Sequence, residues 1–195
     1  MRRAEIFRKT GETEVRILLE LDGTGVCRMD TGVGFLDHML ELFARHGRFD
    51  LEVECRGDTR VDDHHSVEDI GIALGQAFDR ALGEKKGIRR YGQRLLPMDE
   101  SLILCAVDLS GRSYLGYELD IPAEKVGTFD TELGEEFFRA FAFNARCTLH
   151  LHQLAGGNSH HLLEAAFKGA ARALREAAEI DPSMKDEIPS TKGLL

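Results

Sequence analysis

The chain is written twice, and that repetition restricts its fold more than any other feature. Residues 64–68 read HHSVE and residues 160–164 read HHLLE. A shift of 96 residues lays His64 on His160, His65 on His161, Glu68 on Glu164, Ala77 on Ala173 and Ala81 on Ala177. Self-similarity at a fixed offset marks an internal duplication, in which each copy is one unit that cannot bury its apolar face alone.

The patterning inside each copy agrees. Val15, Ile17, Leu19 and Leu21 alternate with polar positions, DGTG interrupts them, and the chain resumes through Val26, so residues 13–29 predict a β-hairpin. Phe35, Met39, Leu42 and Phe43 stand at helical spacing before Gly47, which predicts a helix over 35–47. Residues 49–57 alternate as a strand, and 64–82 set Val67, Ile70, Leu74, Phe78 and Leu82 on one helical stripe. The second half repeats the order: a hairpin over 101–120 turning at Ser110 and Gly111, a helix over 129–145, a strand over 147–156 and a helix over 160–180. The expected fold is α+β, a single domain of two pseudo-symmetric halves, 1–86 and 87–195. Two four-stranded sheets should enclose a layer of four helices, as in a ribosomal-protein-like α/β sandwich, because each sheet and each helix has one apolar face to bury.

Composition removes several function classes. Of 195 residues 43% are hydrophobic, enough for a core without staples. The net charge of −9, from 34 acidic against 25 basic residues, argues against a broad grip on nucleic acid or anionic lipid. Any phosphate bound should be small and locally held. Cys27, Cys55, Cys105 and Cys147 form no CxxC pair, so neither a thiolate metal cage nor a disulfide framework is expected, and a reducing cytoplasm fits. MRRAEIFRKT carries no apolar run, and nowhere do 18 apolar residues follow one another, so neither export nor membrane spanning is expected.

HHxxE carries the chemistry. On a helix the first and fifth positions share a face and the second and fifth are neighbours, so one turn can bring imidazole and carboxylate within reach of a metal. Adjacent histidines point about 100° apart, so each pair should divide between two ions. One such pair alone is usually a solvated helix start; two at matching positions of a duplicated fold outweigh that reading. Aligning the first helices sets Asp37 and His38 opposite Glu135 and Glu136, which makes His38 and Glu136 the expected further ligands. His150 is the rival, but His150 and His152 alternate with Leu149 and Leu151, which favours the outer face of a sheet. His46 reads either as a helix-end histidine favoured by the dipole or as part of the site. Imidazole and carboxylate without sulfur suit Mn²⁺, Fe²⁺, Zn²⁺ or Ni²⁺.

Among the cations, Arg89 and Arg90 in GIRRYG, Arg112, Lys168 one turn past Glu164, and Lys192 stand out. Singly, each is an ordinary surface charge. The closing Ser190-Thr191-Lys192-Gly193 could nonetheless wrap a phosphate with hydroxyls, backbone N–H groups and an ammonium, and arginine offers a bidentate fork.

Taken in order, KTGETEV, GFLDHMLELFARHG, DDHHSVEDIGIALG, DLSGRSYLGY, NSHHLLEAAFKGAARALR and PSTKG resemble the imidazoleglycerol-phosphate dehydratases of histidine biosynthesis over nearly the whole chain. The resemblance implies dehydration of imidazole glycerol phosphate to imidazole acetol phosphate. It implies two Mn²⁺ per active site, ligated by His38, His64, His65, Glu68, His160, His161 and Glu164, with Glu136 where the family carries His or Glu. Glu12 becomes the candidate acid/base beside the metal-facing His64, Glu68, His160 and Glu164. Arg90, Arg112, Lys168, Ser190, Thr191 and Lys192, with His38, His46 and Glu12, become substrate contacts. The family builds a 24-subunit cage with active sites between subunits, which is the partner expected here besides the phosphorylated imidazole. Removing a C2 proton that no carbonyl acidifies requires the imidazole itself to be activated, and a ring with two nitrogens gives two metals a purpose. Two rival readings stand beside this one. A two-metal phosphoester hydrolase would release inorganic phosphate, and a metal-storage cage would load metal without turnover.

Overall fold

In both halves the alternation builds one-sided strands. The computed structural model describes residues 2–184 and 187–195. The first half runs β1 (Arg3–Lys9), β2 (Thr13–Glu20), β3 (Cys27–Asp30), α1 (Gly34–Gly47), β4 (Asp50–Gly57) and α2 (His64–Leu82). The second runs β5 (Tyr91–Met98), β6 (Ser101–Asp108), β7 (Tyr114–Glu118), a small ribbon of β8 (Lys125–Val126) and β9 (Phe129–Asp130), then α3 (Leu133–Asn144), β10 (Thr148–Ala155) and α4 (Ser159–Ala178). Val15, Ile17 and Leu19 are fully buried on one face of β2, and Ile103, Cys105 and Val107 repeat that face on β6.

The sheets have the same topology, β1-β2-β4-β3 and β5-β6-β10-β7. In each, one edge strand runs parallel to its neighbour, β3 to β4 and β7 to β10. The two expected hairpins are therefore corrected. β2 and β3 do not pair, because β4 lies between them, and β10 separates β6 from β7 in the same way. The tight hairpins are β1–β2 and β5–β6, which supply the fourth strand of each sheet. Alternation identifies a strand but not its neighbour. β1 turns only Ala4 and Ile6 inward, too short a signal to read, and Pro97 inside β5 obscures a strand that tolerates it at the sheet edge. The predicted start of the third helix at 129 also moves, since Phe129 and Asp130 belong to the β8–β9 ribbon.

The four helices fill the space between the sheets. α1 packs on α4 and α2 on α3, while α2 covers β1 and β2 and α4 covers β5 and β6. Phe43, Phe78 and Phe141 meet at the centre with centroids 5.8 and 6.1 Å apart. The α2–α3 contact is close because α2 offers glycine: a Cβ at Gly75 would stand 2.6 Å from the Phe141 carbonyl oxygen and 2.8 Å from the Ala145 nitrogen. Alanine would gain up to about 1 kcal/mol of helix propensity. Those backbone atoms cannot swing aside, however, so overpacking of about 1–3 kcal/mol wins. Gly75→Ala should accordingly shift the urea midpoint downward, and an upward shift would place α2 and α3 further apart than described. No helix of the described residues is long and apolar enough to cross a membrane.

Candidate active site

Each HHxxE motif opens a helix, and the local sequence fixes how its histidines splay. The Asn158 side chain accepts the N–H groups of His160 and His161 at 3.0 and 3.2 Å, an N-cap that starts α4 at the motif. The rings of His160 and His161 lie at 81° with centroids 6.2 Å apart. His64 and His65 repeat this at 83° and 6.2 Å. In each copy the first and second imidazole thus face different surroundings.

The first imidazole of the second copy faces inward along its own helix. His160 Nε2 lies 3.1 Å from Glu164 Oε2, and His38 Nε2, brought in by α1, lies 3.8 Å from the same oxygen. His38, His160 and Glu164 form the one group of three candidate ligands found among the described residues, their donor atoms all within 4.8 Å of one another. Glu164 is only 7% exposed and Lys168 Nζ donates to its Oε1. Burial pushes its carboxyl pKa up, but the Lys168 hydrogen bond and charge, with His160, outweigh that and hold it below the usual range. An ionised carboxylate beside two imidazoles, with no sulfur, is a donor set that fits a first-row divalent ion such as Mn²⁺ or Zn²⁺.

The second imidazole of each copy faces a loop carboxylate. His161 Nδ1 lies 2.8 Å from Glu100 Oε2 and its Nε2 3.8 Å from Asp99. His65 Nδ1 lies 3.1 Å from Asp58 Oδ2, and its Nε2 lies 3.7 Å from Glu12 Oε2. These hydrogen bonds raise both histidine pKa values, through Glu100 for His161 and Asp58 for His65. In return Glu100 is held down at about 2, chiefly by His161.

The other expected ligands are not gathered with His38, His160 and Glu164. His64 and Glu68 stand half-buried on the first turns of α2. Glu136 sits on the first turn of α3, 3.9 Å from Arg139 of its own helix. His150 lies on the outer side of β10 with Nδ1 3.2 Å from His152 Nε2, and Glu118 holds the far side of His152 at 2.9 Å. His46, in the last turn of α1, has Nδ1 3.4 Å from Arg172 Nε, and burial with the nearby Lys168 and Arg172 charges lowers its pKa. It lines a basic hollow with Arg48, Arg89, Arg94 and Arg175.

The expected phosphate contacts collect elsewhere. Arg90 forks onto Asp108 at 2.8 and 3.2 Å and donates to the Pro189 carbonyl at 2.8 Å, which ties the closing segment to the sheet. Arg112 lies 3.7 Å from the same Asp108, and Ser190 Oγ accepts the Lys192 N–H at 3.2 Å, with Thr191 and Lys192 exposed. Asp108 ends β6, whereas Glu100 and His161 adjoin Ser101 at its start. Seven strand residues separate these groups by about 23 Å.

Four carboxylates escaped the sequence reading: Asp58, Asp69, Glu100 and Asp108. Asp69 is 6% exposed, takes both Nε and an Nη of Arg8 at 3.0 and 2.8 Å, and accepts the Thr13 hydroxyl. Thr10 Oγ1 accepts the Glu12 and Thr13 N–H groups at 3.1 and 3.0 Å. Together they fix the turn that carries Glu12. A buried charge next to Glu68 in VED was the only cue, and its partners in β1 and β2 are more than fifty residues away.

Known proteins share both the fold and the sequence. Residues 31–174 match the model of the family described as imidazoleglycerol-phosphate dehydratase. The imidazoleglycerol-phosphate dehydratase of Jannaschia sp. is 59% identical over 195 residues, covering all of both chains. The crystal structure of the imidazoleglycerol-phosphate dehydratase from Staphylococcus aureus superposes with a TM-score of 0.84 at 45% identity, over 92% of this chain and 99% of that one. The enzyme from Pyrococcus furiosus superposes equally well, at 35% identity over 97% of this chain and all of that one. On the matched residues, the full-length identity and the superposition, the chain belongs to the imidazoleglycerol-phosphate dehydratase family.

Proposed function

We propose that the protein dehydrates imidazole glycerol phosphate to imidazole acetol phosphate, using two Mn²⁺ ions per active site, in sites shared between the subunits of a 24-subunit cage. The reading is carried by one observation above all: His38, His160 and Glu164 converge on a duplicated scaffold whose other HHxxE motif splays its imidazoles identically. When bound, such ions would supply positive charge that activates the substrate's imidazole ring and its neighbouring hydroxyl. His38, His160 and Glu164 would hold one of them. His64, His65, Glu68, Glu136 and His161 are the remaining candidate ligands.

The chain's own groups then have separate tasks. Glu12, beside His65 Nε2, would take the C2 proton, since a carboxylate in a fixed turn suits proton transfer. Arg90, Arg112, Ser190, Thr191 and Lys192 would hold the phosphate, and Lys168 and His46 would line the way between. The 23 Å between phosphate group and histidines along one β6 favours a site completed by a second copy. The test is ketone formation from imidazoleglycerol phosphate by Mn²⁺-loaded protein. The wild-type chain should form ketone without releasing inorganic phosphate, and a His64→Ala, His160→Ala variant should not. Phosphate release instead would make the protein a hydrolase.

Metal uptake should depend on pH in a set direction. A proton and a metal compete for the same imidazole lone pair. Because the pKa values of His65 and His161 are raised, their imidazolium forms persist to higher pH than an ordinary histidine's. As pH falls, Mn²⁺ affinity should therefore begin to drop above the usual histidine range near 6.5. Calorimetric Mn²⁺ titrations at stepped pH would measure it; a drop confined to lower pH would contradict the proposed ligation.

A further inference from the structure

The duplication pairs Glu12 with Glu100, since each immediately precedes the second strand of its half, β2 or β6. The two carboxylates have nevertheless taken different places. Glu12 stands on the Nε2 side of His65, while Glu100 sits on the Nδ1 of His161. On the first copy the Nδ1 position is filled instead by Asp58, at the end of β4. We infer that Glu100 and Asp58 are positioning residues that fix the Nδ1–H tautomer of His161 and His65, so that each Nε2 is left as a metal donor.

The contacts of Glu100 argue against a proton-transfer role. Its Oε2 receives His161, and its Oε1 accepts both the Asn158 N–H at 3.1 Å and the Ser101 hydroxyl at 3.0 Å. It thereby clamps the β5–β6 turn to the cap of α4, with both of its oxygens already engaged in the protein. Asp58 does less: its carboxylate hydrogen-bonds His65 alone among the described residues, at 3.1 and 3.2 Å. A ring nitrogen donated to a carboxylate orients a metal-bound histidine and raises its basicity, and losing such a partner typically costs about 10- to 100-fold in metal affinity.

This difference gives the two positions opposite responses to amide substitution. In Glu100→Gln the amide oxygen must stay on Asn158 and Ser101, which turns the NH₂ toward His161 Nδ1. That nitrogen must then accept, the proton moves to Nε2, and the donor is blocked. In Asp58→Asn the side chain is free to present its oxygen, so the tautomer survives. The inference rests on the dehydratase reading, and Mn²⁺ binding to the intact assembly tests both. Calorimetry should give E100Q and Asp58→Ala about 10- to 100-fold weaker uptake than wild type and leave D58N within a few-fold, at unchanged assembly size. If E100Q does not fold, D58A against D58N asks the same question on the first copy. Wild-type protein holding two ions, with D58A and any folded E100Q equal to it, overturns the positioning role alone. Wild-type protein that takes up no Mn²⁺ overturns that role and the dehydratase reading together.

Discussion

Glu12→Gln should lose about a hundred- to ten-thousand-fold in turnover while binding its Mn²⁺ as tightly as the wild type. The amide keeps the shape and the turn but cannot take a proton. The carboxylate is 56% exposed with His65 Nε2 as its ion-pair partner at 3.7 Å, and the turn itself is held by the Glu12 N–H donating to Thr10 Oγ1. Removing its charge thus leaves the fold's other contacts alone, and the loss should fall on kcat more than on KM. Steady-state kinetics beside a metal titration separate these effects. A variant with normal turnover would take Glu12 out of the chemistry, and one that loses metal would make it a ligand.

The largest effect on stability is expected one layer beneath. Asp69→Ala should lower the unfolding free energy by about 3 kcal/mol, at the lower end of the 3–5 kcal/mol typical when one partner of a buried ion pair is removed. The lower end applies because Arg8 is 32% exposed and water recovers part of its solvation, whereas the Asp69 side chain is only 9% exposed. The Thr13 hydroxyl loses its acceptor as well. Urea denaturation would measure the change. Since the same contacts fix the turn ahead of Glu12, Asp69→Ala should also depress kcat at temperatures where the protein remains folded. A midpoint equal to wild type would show that Arg8 and Thr13 find other partners.

Much of this was legible because periodicity is a property of single elements. The helix expected over 64–82 is found at His64–Leu82, and the one over 160–180 at Ser159–Ala178, since both have long apolar stripes. Strand partners were not legible. Val15, Ile17 and Leu19 state which face of β2 is buried, but nothing in them states that β4 rather than β3 lies alongside. The candidate site divides in the same way. His38, His160 and Glu164 could be named from motif and duplication, and the fold brings them together. Asp58, Glu100 and Asp108 could not be, because each works through a residue on another element and carries no local pattern.

The course of β6 has a genetic consequence. If the proposed sites lie between subunits, a chain with its imidazoles at one end of that strand and the arginines proposed to bind phosphate at the other would hold two half-sites that serve different neighbours. Copies crippled at His161 and copies crippled at Arg112 would each be inactive alone, yet mixed assemblies of the two would contain some junctions built from intact ends. Coexpressing two dead alleles should therefore restore part of the activity that neither possesses, whereas two lesions at the same end should never rescue one another.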